Sequence, residues 1–313
     1  MKTKKALDGI SMGNPNDDSN IISNLDRDVK YVVDAGEMHL VFAETGESRT
    51  IDLNTHRIVI HSRASVEAYK EKMENRDNRH FTFARMEAAK ELANSLTHGQ
   101  LAHFTYVSTF AGYGDNIIRN PNKTPMTTKD LMKELPIPKR TFYDFLNVCL
   151  DKGIISKDDD ERYVINSKYH FKGKCKGDER VVKMFSTEIR SAYKQMKPAD
   201  FGLIYLLMPY IHYATNTLCR NPYEKDVAKL QKLNRKQLCE LIGVDASTFS
   251  NRILKTKIDG KPVLAEIKVL SKRSYLVNPW VLYRLDSKPN DSLIGQTVDP
   301  AEPDKTLRSI FEV

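Results

Sequence analysis

Apolar residues recur at i, i+3, i+4 and i+7 along KRTFYDFLNVCLDKG, where Phe142, Phe145, Leu146 and Cys149 share one helical face. Lys139, Arg140, Tyr143 and Asn147 fall on the opposite face. In STFSNRILKT the same spacing turns Phe249 and Ile253 inward and Thr248, Asn251, Arg252 and Lys255 outward. A shorter amphipathic helix precedes each: TTKDLMKEL (Thr127 to Leu135) and NRKQLCELIG (Asn234 to Gly243), with Thr127 or Thr128, and Asn234, as N-caps. Pro136-Ile137-Pro138 breaks the first pair of helices and Gly243-Val244-Asp245 the second. Beyond each second helix the period changes to two. IISKDDDERYVIN (Ile154 to Asn166) and VLAEIKVLSKRSYLVNP (Val263 to Pro279) both read strand, polar tip, strand.

These parallels form an ordered series. Leu131 and Leu238 lie 107 residues apart, as do Thr141-Phe142 and Thr248-Phe249. Upstream, LTHGQLAHFTYVSTFAGYGDNIIRNP and MKPADFGLIYLLMPYIHYATNTLCRNP each start with a helix signal, Thr97 in one and Pro198 with Asp200 in the other. Each closes on Arg-Asn-Pro, 101 residues apart, and Pro121 and Pro222 disfavour helix in the residue before them. Tyr163 and Tyr275 differ by 112. Ordered matches with two modest insertions signify an internal duplication.

Helix, turn, helix and hairpin make a winged helix. The expected fold is α+β, mostly helical: two tandem winged helix-turn-helix domains with a small N-terminal antiparallel β segment. Residues 1–28, rich in Asn, Asp, Ser and Lys, read as disordered. Residues 29–63 read as the small β-sheet, turning at Glu44 to Glu47, residues 64–178 as domain one and 179–286 as domain two. Residues 287–313 read as a flexible tail, whose Leu307, Ile310 and Phe311 are the alternative docking peptide. Ala64 to Asn94 is expected to be helical with a break at Asn75 to Asn78, and Val181 to Met196 its counterpart, with Phe81/Met184 and Leu92/Met196 loosely matched.

The net charge of +8 suits a polyanionic partner. No run of 18 apolar residues predicts a membrane span, and the first 20 residues lack the apolar core of a secretory signal, so a cytoplasmic protein is expected. Cys149, Cys175, Cys219 and Cys239 form no CxxC pair, and Cys149, Cys219 and Cys239 read as buried thiols. His170 and Cys175 are near neighbours without a second ligand pair, and His56 and His61 read as sheet-face residues. The chain holds no GxxxxGK[ST], HExxH or GxSxG, so neither an enzyme nor a cofactor or metal is expected.

Outward polar residues of a second helix reach phosphates and base edges when it enters a major groove. The candidate DNA contacts are Lys139, Arg140, Thr141, Tyr143 and Asn147 in the first repeat. In the second they are Ser247, Thr248, Asn251, Arg252 and Lys255. The wing tips differ. Asp158 to Glu161 would repel phosphate, whereas Lys272 and Arg273 would attract it. Lys168, Lys172 and Lys174, after the first wing, are further phosphate contacts or a solvated linker.

RYVINSKYHFKG and SYLVNPWVLYRL resemble the wing exit of RepL-type replication initiators of plasmids from Gram-positive bacteria. Tyr163, Val164, Ile165, Asn166, Phe171, Lys172 and Gly173 match that pattern, with Ser167 in place of Pro. In the second copy Tyr275, Leu276, Val277, Asn278 and Pro279 match, with Arg284-Leu285 for Lys-Gly. The helix pair before each wing extends the resemblance over roughly 80 residues per copy. The whole chain also looks like phage- and plasmid-borne proteins of those bacteria. The resemblance implies a DNA-binding protein of a mobile element.

The expected function is sequence-specific binding of double-stranded DNA in a plasmid or prophage, for replication initiation or its control. The chain would act as a monomeric pseudo-dimer or as a homodimer. A transcriptional regulator of the phage-repressor type needs the same surface. A protein-binding scaffold is the third reading, in which the acidic first wing or the tail meets replication or transcription proteins. RNA binding has only the charge in its favour.

Overall fold

The computed structural model describes residues 10–13, 29–34, 37–42, 48–52, 57–60, 63–74, 77–175, 180–269, 272–285 and 288–289. It is a mixed α+β fold with small antiparallel sheets. The chain divides into two compact units, Met1–Arg76 and Asp77–Val313. The spans expected as two winged-helix domains therefore meet in one unit, and the first boundary falls after Arg76 rather than after residue 63.

In the first unit, β2 (Val29–Asp34), β3 (Glu37–Phe42) and β4 (Ser48–Asp52) form an antiparallel sheet. Strand β1 (Ile10–Gly13) pairs with β5 (Arg57–Ile60), matching Ile10 to Ile60 and Met12 to Ile58. This corrects the expectation of disorder for that stretch, because alternation over only four residues is a weak signal against a polar background. Helix α1 (Arg63–Glu74) closes the unit. The turn at 44–47, His56, His61, most of residues 1–28 and the tail beyond 289 lie outside the described residues.

The second unit runs β6 (Phe81–Arg85), α2 (Ala88–Ser95), α3 (His98–Ser108), α4 (Thr128–Glu134), α5 (Lys139–Asp151), β7 (Ile155–Lys157), β8 (Tyr163–Ile165) and β9 (His170–Phe171). It continues with β10 (Val181–Phe185), α6 (Ser186–Gln195), α7 (Pro198–Tyr205) and α8 (Arg235–Ile242). Helix α9 (Ala246–Thr248) runs into a π-helical stretch, Phe249–Leu254. Then come β11 (Lys257–Ile258), β12 (Lys261–Pro262), β13 (Leu264–Val269), β14 (Lys272–Val277) and β15 (Leu282–Tyr283).

Phe81–Arg85 and Val181–Phe185 are strands, not the expected helices. FTFAR and VVKMF are rich in the aromatic and β-branched residues that favour strands. The two pair antiparallel with each other, Phe81 opposite Phe185 and Phe83 opposite Lys183. Each also pairs with the last strand of its own half, giving the order β15-β10-β6-β9. Thr82, Ala84, Val182 and Met184 alternate onto one face of this sheet, and Phe83, Val181, Lys183 and Phe185 on the other face are buried too. The Thr82 hydroxyl donates to the Ser108 carbonyl of α3.

Helices α3 and α7 pack closely. A Cβ on Gly202 would sit 1.9 Å from the His98 carbonyl oxygen, so only glycine permits this approach. Thr97 caps α3 in a reciprocal capping box with Gln100, and Pro198 opens α7.

Backbone pairing repeats between the halves. After α3 the amide of Ile118 donates to the Tyr163 carbonyl, and after α7 that of Leu218 donates to Tyr275, both at 2.8 Å. Bridges Ile117 to Val164 and Thr217 to Leu276 tie each segment to its hairpin. Asn116 and Asn216 share a left-handed backbone at φ 56° and 55°. The equivalence thus runs at 100 residues up to the Ile118/Leu218 pair, while Arg-Asn-Pro recurs at 101. The matched tripeptides stand one residue out of register with the matched backbone, because Cys219 occupies the place of Arg119 and donates its amide to Tyr210 as Arg119 does to Phe110. The same offset pairs Phe81 with Val181 and Leu92 with Ala192, not with the methionines.

Candidate nucleic-acid interface

The α4–α5 and α8–α9 pairs rest on the same scaffold. Thr127 with Asp130, and Asn234 with Gln237, form reciprocal capping boxes at the first helix of each pair. Phe142, Phe145, Leu146 and Cys149 are buried under α5, and Phe249 and Ile253 under the second pair. Each strand exit is held by asparagine. Asn166 Nδ2 donates to the Gly153 carbonyl at 2.8 Å, and Asn278 Nδ2 to that of Pro262 at 2.9 Å. Their Oδ1 atoms accept the amides of Lys168 and Trp280. Tyr163 and Tyr275 are buried where each hairpin meets its helices.

This scaffold leaves one face of α5 open. Lys139, Arg140, Thr141, Tyr143 and Asn147 are all exposed on it. Arg140 stands 94% exposed, and its 4.0 Å approach to Asp144 is too long and too wet to restrain it. Pro138 precedes the helix and no side chain caps it, so its first amides face outward. An uncapped, basic helix N-terminus attracts phosphate.

The second half distributes its charge differently. Asp245 caps its second helix, accepting the Thr248 amide at 2.8 Å and the Thr248 hydroxyl at 2.7 Å. Those bonds hold its carboxyl below the usual range. Thr248 is therefore half-buried and occupied. Ser247, Asn251 and Lys255 remain exposed in a hydrogen-bonded ladder along the helix, 3.3 Å and then 3.1 Å. Arg252 is exposed but folds back onto Asp200 of α7, whose side chain is only 14% exposed. The sequence gives no sign of that pairing across 52 residues.

The hairpin tips also differ from expectation in detail. The first tip is offset in part from within: Arg162 bridges Asp158 at 2.8 Å and Asp160 at 2.9 Å, and Lys157 pairs with Glu161, two cations against four carboxylates. In the β13–β14 hairpin Lys272 and Arg273 open β14, with Lys272 opposite Val269 and Arg273 opposite Lys268. Arg273 bonds Glu266 at 2.7 Å, and Glu266 also takes Arg235 at 2.8 Å and the Tyr275 hydroxyl at 3.0 Å. Burial would raise the Glu266 carboxyl, but these partners outweigh it and hold it low. Two arginines on one carboxylate leave a net positive hairpin root. A second hairpin, β11–β12, turns at Asp259-Gly260 with both residues at positive φ, and its Asp259 is bonded to Ser191 and Gln195 of α6. The Asp-Gly pair in KIDGKP is the sequence signal for it.

The three lysines after the first wing do not join this surface as a group. Lys168 pairs with Glu91 of α2 at 2.6 Å. Lys172 is half-buried and lies near Arg190, and Lys174 is exposed. Of the cysteines, 149, 219 and 239 are buried and reduced and Cys175 is exposed. His170 is buried between Ser108 and Tyr205, far from a ligand role. Among the described residues no helix is long and apolar enough to cross a membrane. No protein-family model, curated protein or solved structure matches this chain.

Proposed function

We propose that the chain is a sequence-specific binder of double-stranded DNA, built from two winged helices that arose by duplication. The observation that carries this reading is the order of elements in each half. A helix, a short extended segment bonded to the hairpin, a capped helix, a second helix and the hairpin itself follow in the same sequence twice. The second helix of the first half turns five exposed polar residues away from the core.

In this reading α5 enters a major groove, with Arg140 and Asn147 at base edges and Lys139 with the free helix amides on phosphate. In the second half Ser247, Asn251 and Lys255 face the groove, and Arg273 with Lys272 follows the backbone. Phosphate grip thus comes from the helix end in one half and from the wing in the other. The resemblance of the wing exits to plasmid initiators favours replication initiation or its control. A transcriptional regulator would use the same surfaces.

The test is retention of DNA from a fragmented genome of the source element at two salt concentrations. Enrichment of one locus, with affinity falling steeply in salt, is the expected result, and origin or promoter decides between the two roles. No retention at either salt would overturn the DNA reading and favour the scaffold, for which the acidic first hairpin tip is the supporting feature.

A further inference from the structure

The β6–β10 pairing is symmetric about one residue pair. Phe83 stands opposite Lys183, and to either side Phe81 meets Phe185 and Arg85 meets Val181. The 100-residue offset turns each of those outer pairs into the other. The edge strands keep matching registers. Phe171 and His170 lie opposite Phe83 and Ala84, as Tyr283 and Leu282 lie opposite Lys183 and Met184. Contacts that cross between the halves are exchanged in the same way. The Met86 amide donates to the Arg180 carbonyl at 2.9 Å, and the Ser186 amide to that of His80 at 2.8 Å. Arg190 covers the Phe110 ring at 3.9 Å, and Lys90 the Tyr210 ring at 6.0 Å. Two antiparallel strands in such a register are related by a twofold axis normal to the sheet, which here passes between Phe83 and Lys183.

The helix pairs are seated on this frame by matching bonds. Met126, just before α4, donates its amide to the Ile118 carbonyl at 2.8 Å, and Leu233, just before α8, to that of Leu218 at 3.0 Å. The second helices open alike, with the Phe142 amide on the Pro138 carbonyl at 2.9 Å and the Phe249 amide on that of Asp245 at 3.0 Å. This 107-residue offset puts Ser247 in the place of Arg140, and both are exposed.

We infer that the two second helices take one duplex as inverted half-sites, with its dyad on the axis between Phe83 and Lys183. The inference rests on the DNA reading above and narrows it to one arrangement of target. A twofold axis that carries one helix onto the other also carries a duplex that serves both onto itself. The twofold axes of a duplex lie across it and exchange its strands. Tandem half-sites in the same strand sense need a translation between the halves, which this pairing does not provide. The outward side chains differ between the halves, so the half-sites differ in bases while they oppose in strand sense. Arg140 suits a bidentate contact to guanine, and the short Ser247 does not.

The test selects from a pool of random-sequence duplexes with the full chain, with Arg140→Ala and with Ser247→Arg, and sequences what each retains. Arg140→Ala should erase about tenfold of base preference at one position. Ser247→Arg should gain about tenfold for guanine at the mirror position across the centre of the site, on the other strand. A gain on the strand that Arg140 reads would overturn the inference and leave the DNA reading standing. So would preferences unchanged by Ser247→Arg while Arg140→Ala erases one, since the two helix starts would then not be equivalent. If the unaltered chain enriches no duplex, the DNA reading falls and this inference with it.

Discussion

His170 Nε2 on β9 lies 2.8 Å from the Tyr205 hydroxyl on α7, so one half of the unit reaches into the other through a buried imidazole. His103 on α3 makes the matching reach, with Nδ1 2.6 Å from the Tyr193 hydroxyl of α6. Burial pushes the His103 imidazole down to about 4 and that of His170 to about 3.

Both histidines therefore fold neutral. Below about pH 6.5 the unfolded chain takes up protons that the folded chain refuses, so stability falls as pH drops towards about 4 and is flat above about 7 as far as these groups decide. A tenfold difference in proton affinity is worth about 1.4 kcal/mol, so each imidazole costs up to about 3 kcal/mol over that range. Denaturant unfolding at neutral pH and at about pH 5 measures it. His103→Gln should reduce the difference, and an unchanged difference would mean that other groups carry it.

Arg140→Ala should weaken specific DNA binding while changing stability by no more than about 0.5 kcal/mol, since the side chain touches little. Fluorescence anisotropy and a thermal melt on the same sample separate the two effects.

Arg252→Ala should behave differently, although both arginines lie on the outer face of their helix. Removing Arg252 leaves the mostly buried Asp200 carboxylate without its partner, at a cost of about 1–2 kcal/mol. Asp200→Asn/Arg252→Ala together should recover part of this. If the double variant is no more stable than Arg252→Ala, the ion pair is not the cause.

Phe142→Ala and Phe249→Ala empty fully buried sites under each second helix and should cost roughly 3–5 kcal/mol each. Equal losses at the two sites would fit equivalent cores, and a loss below about 1 kcal/mol at either would contradict its burial.

Gly202→Ala adds a single methyl group where α7 meets the His98 carbonyl. Helix propensity alone predicts a gain. The close approach predicts a net loss of about 1–3 kcal/mol, as in other overpacked contacts. A higher melting temperature would show that the helices separate without penalty.

Much of this was written in the apolar pattern. The i, i+3, i+4, i+7 spacing marked the buried face of α5 residue by residue, and the Tyr-apolar-apolar-Asn exits located both hairpins and the asparagines that hold them. The strands at Phe81 and Val181 escaped because each is five residues long and runs close to a helix, so a helical window absorbs it. Their identity depends on pairing with one another across 100 residues, which no local period records. The Asp200–Arg252 pair escaped for the same reason. The charges of the first hairpin tip were legible as single residues, and only geometry shows that Arg162 and Lys157 pair with three of its four carboxylates.

The β6–β10 pairing has one more consequence. Each strand has a long antiparallel flank that is satisfied only by the other half, and the flank is self-complementary, since either half offers the same strand in the same direction. A gene fragment ending after Gly173 would therefore yield a chain with an open hydrogen-bonding edge whose best available mate is another fragment like itself. Such a fragment should form a twofold dimer in ultracentrifugation rather than a monomer. The intact chain has this association built into one polypeptide, where it no longer depends on concentration.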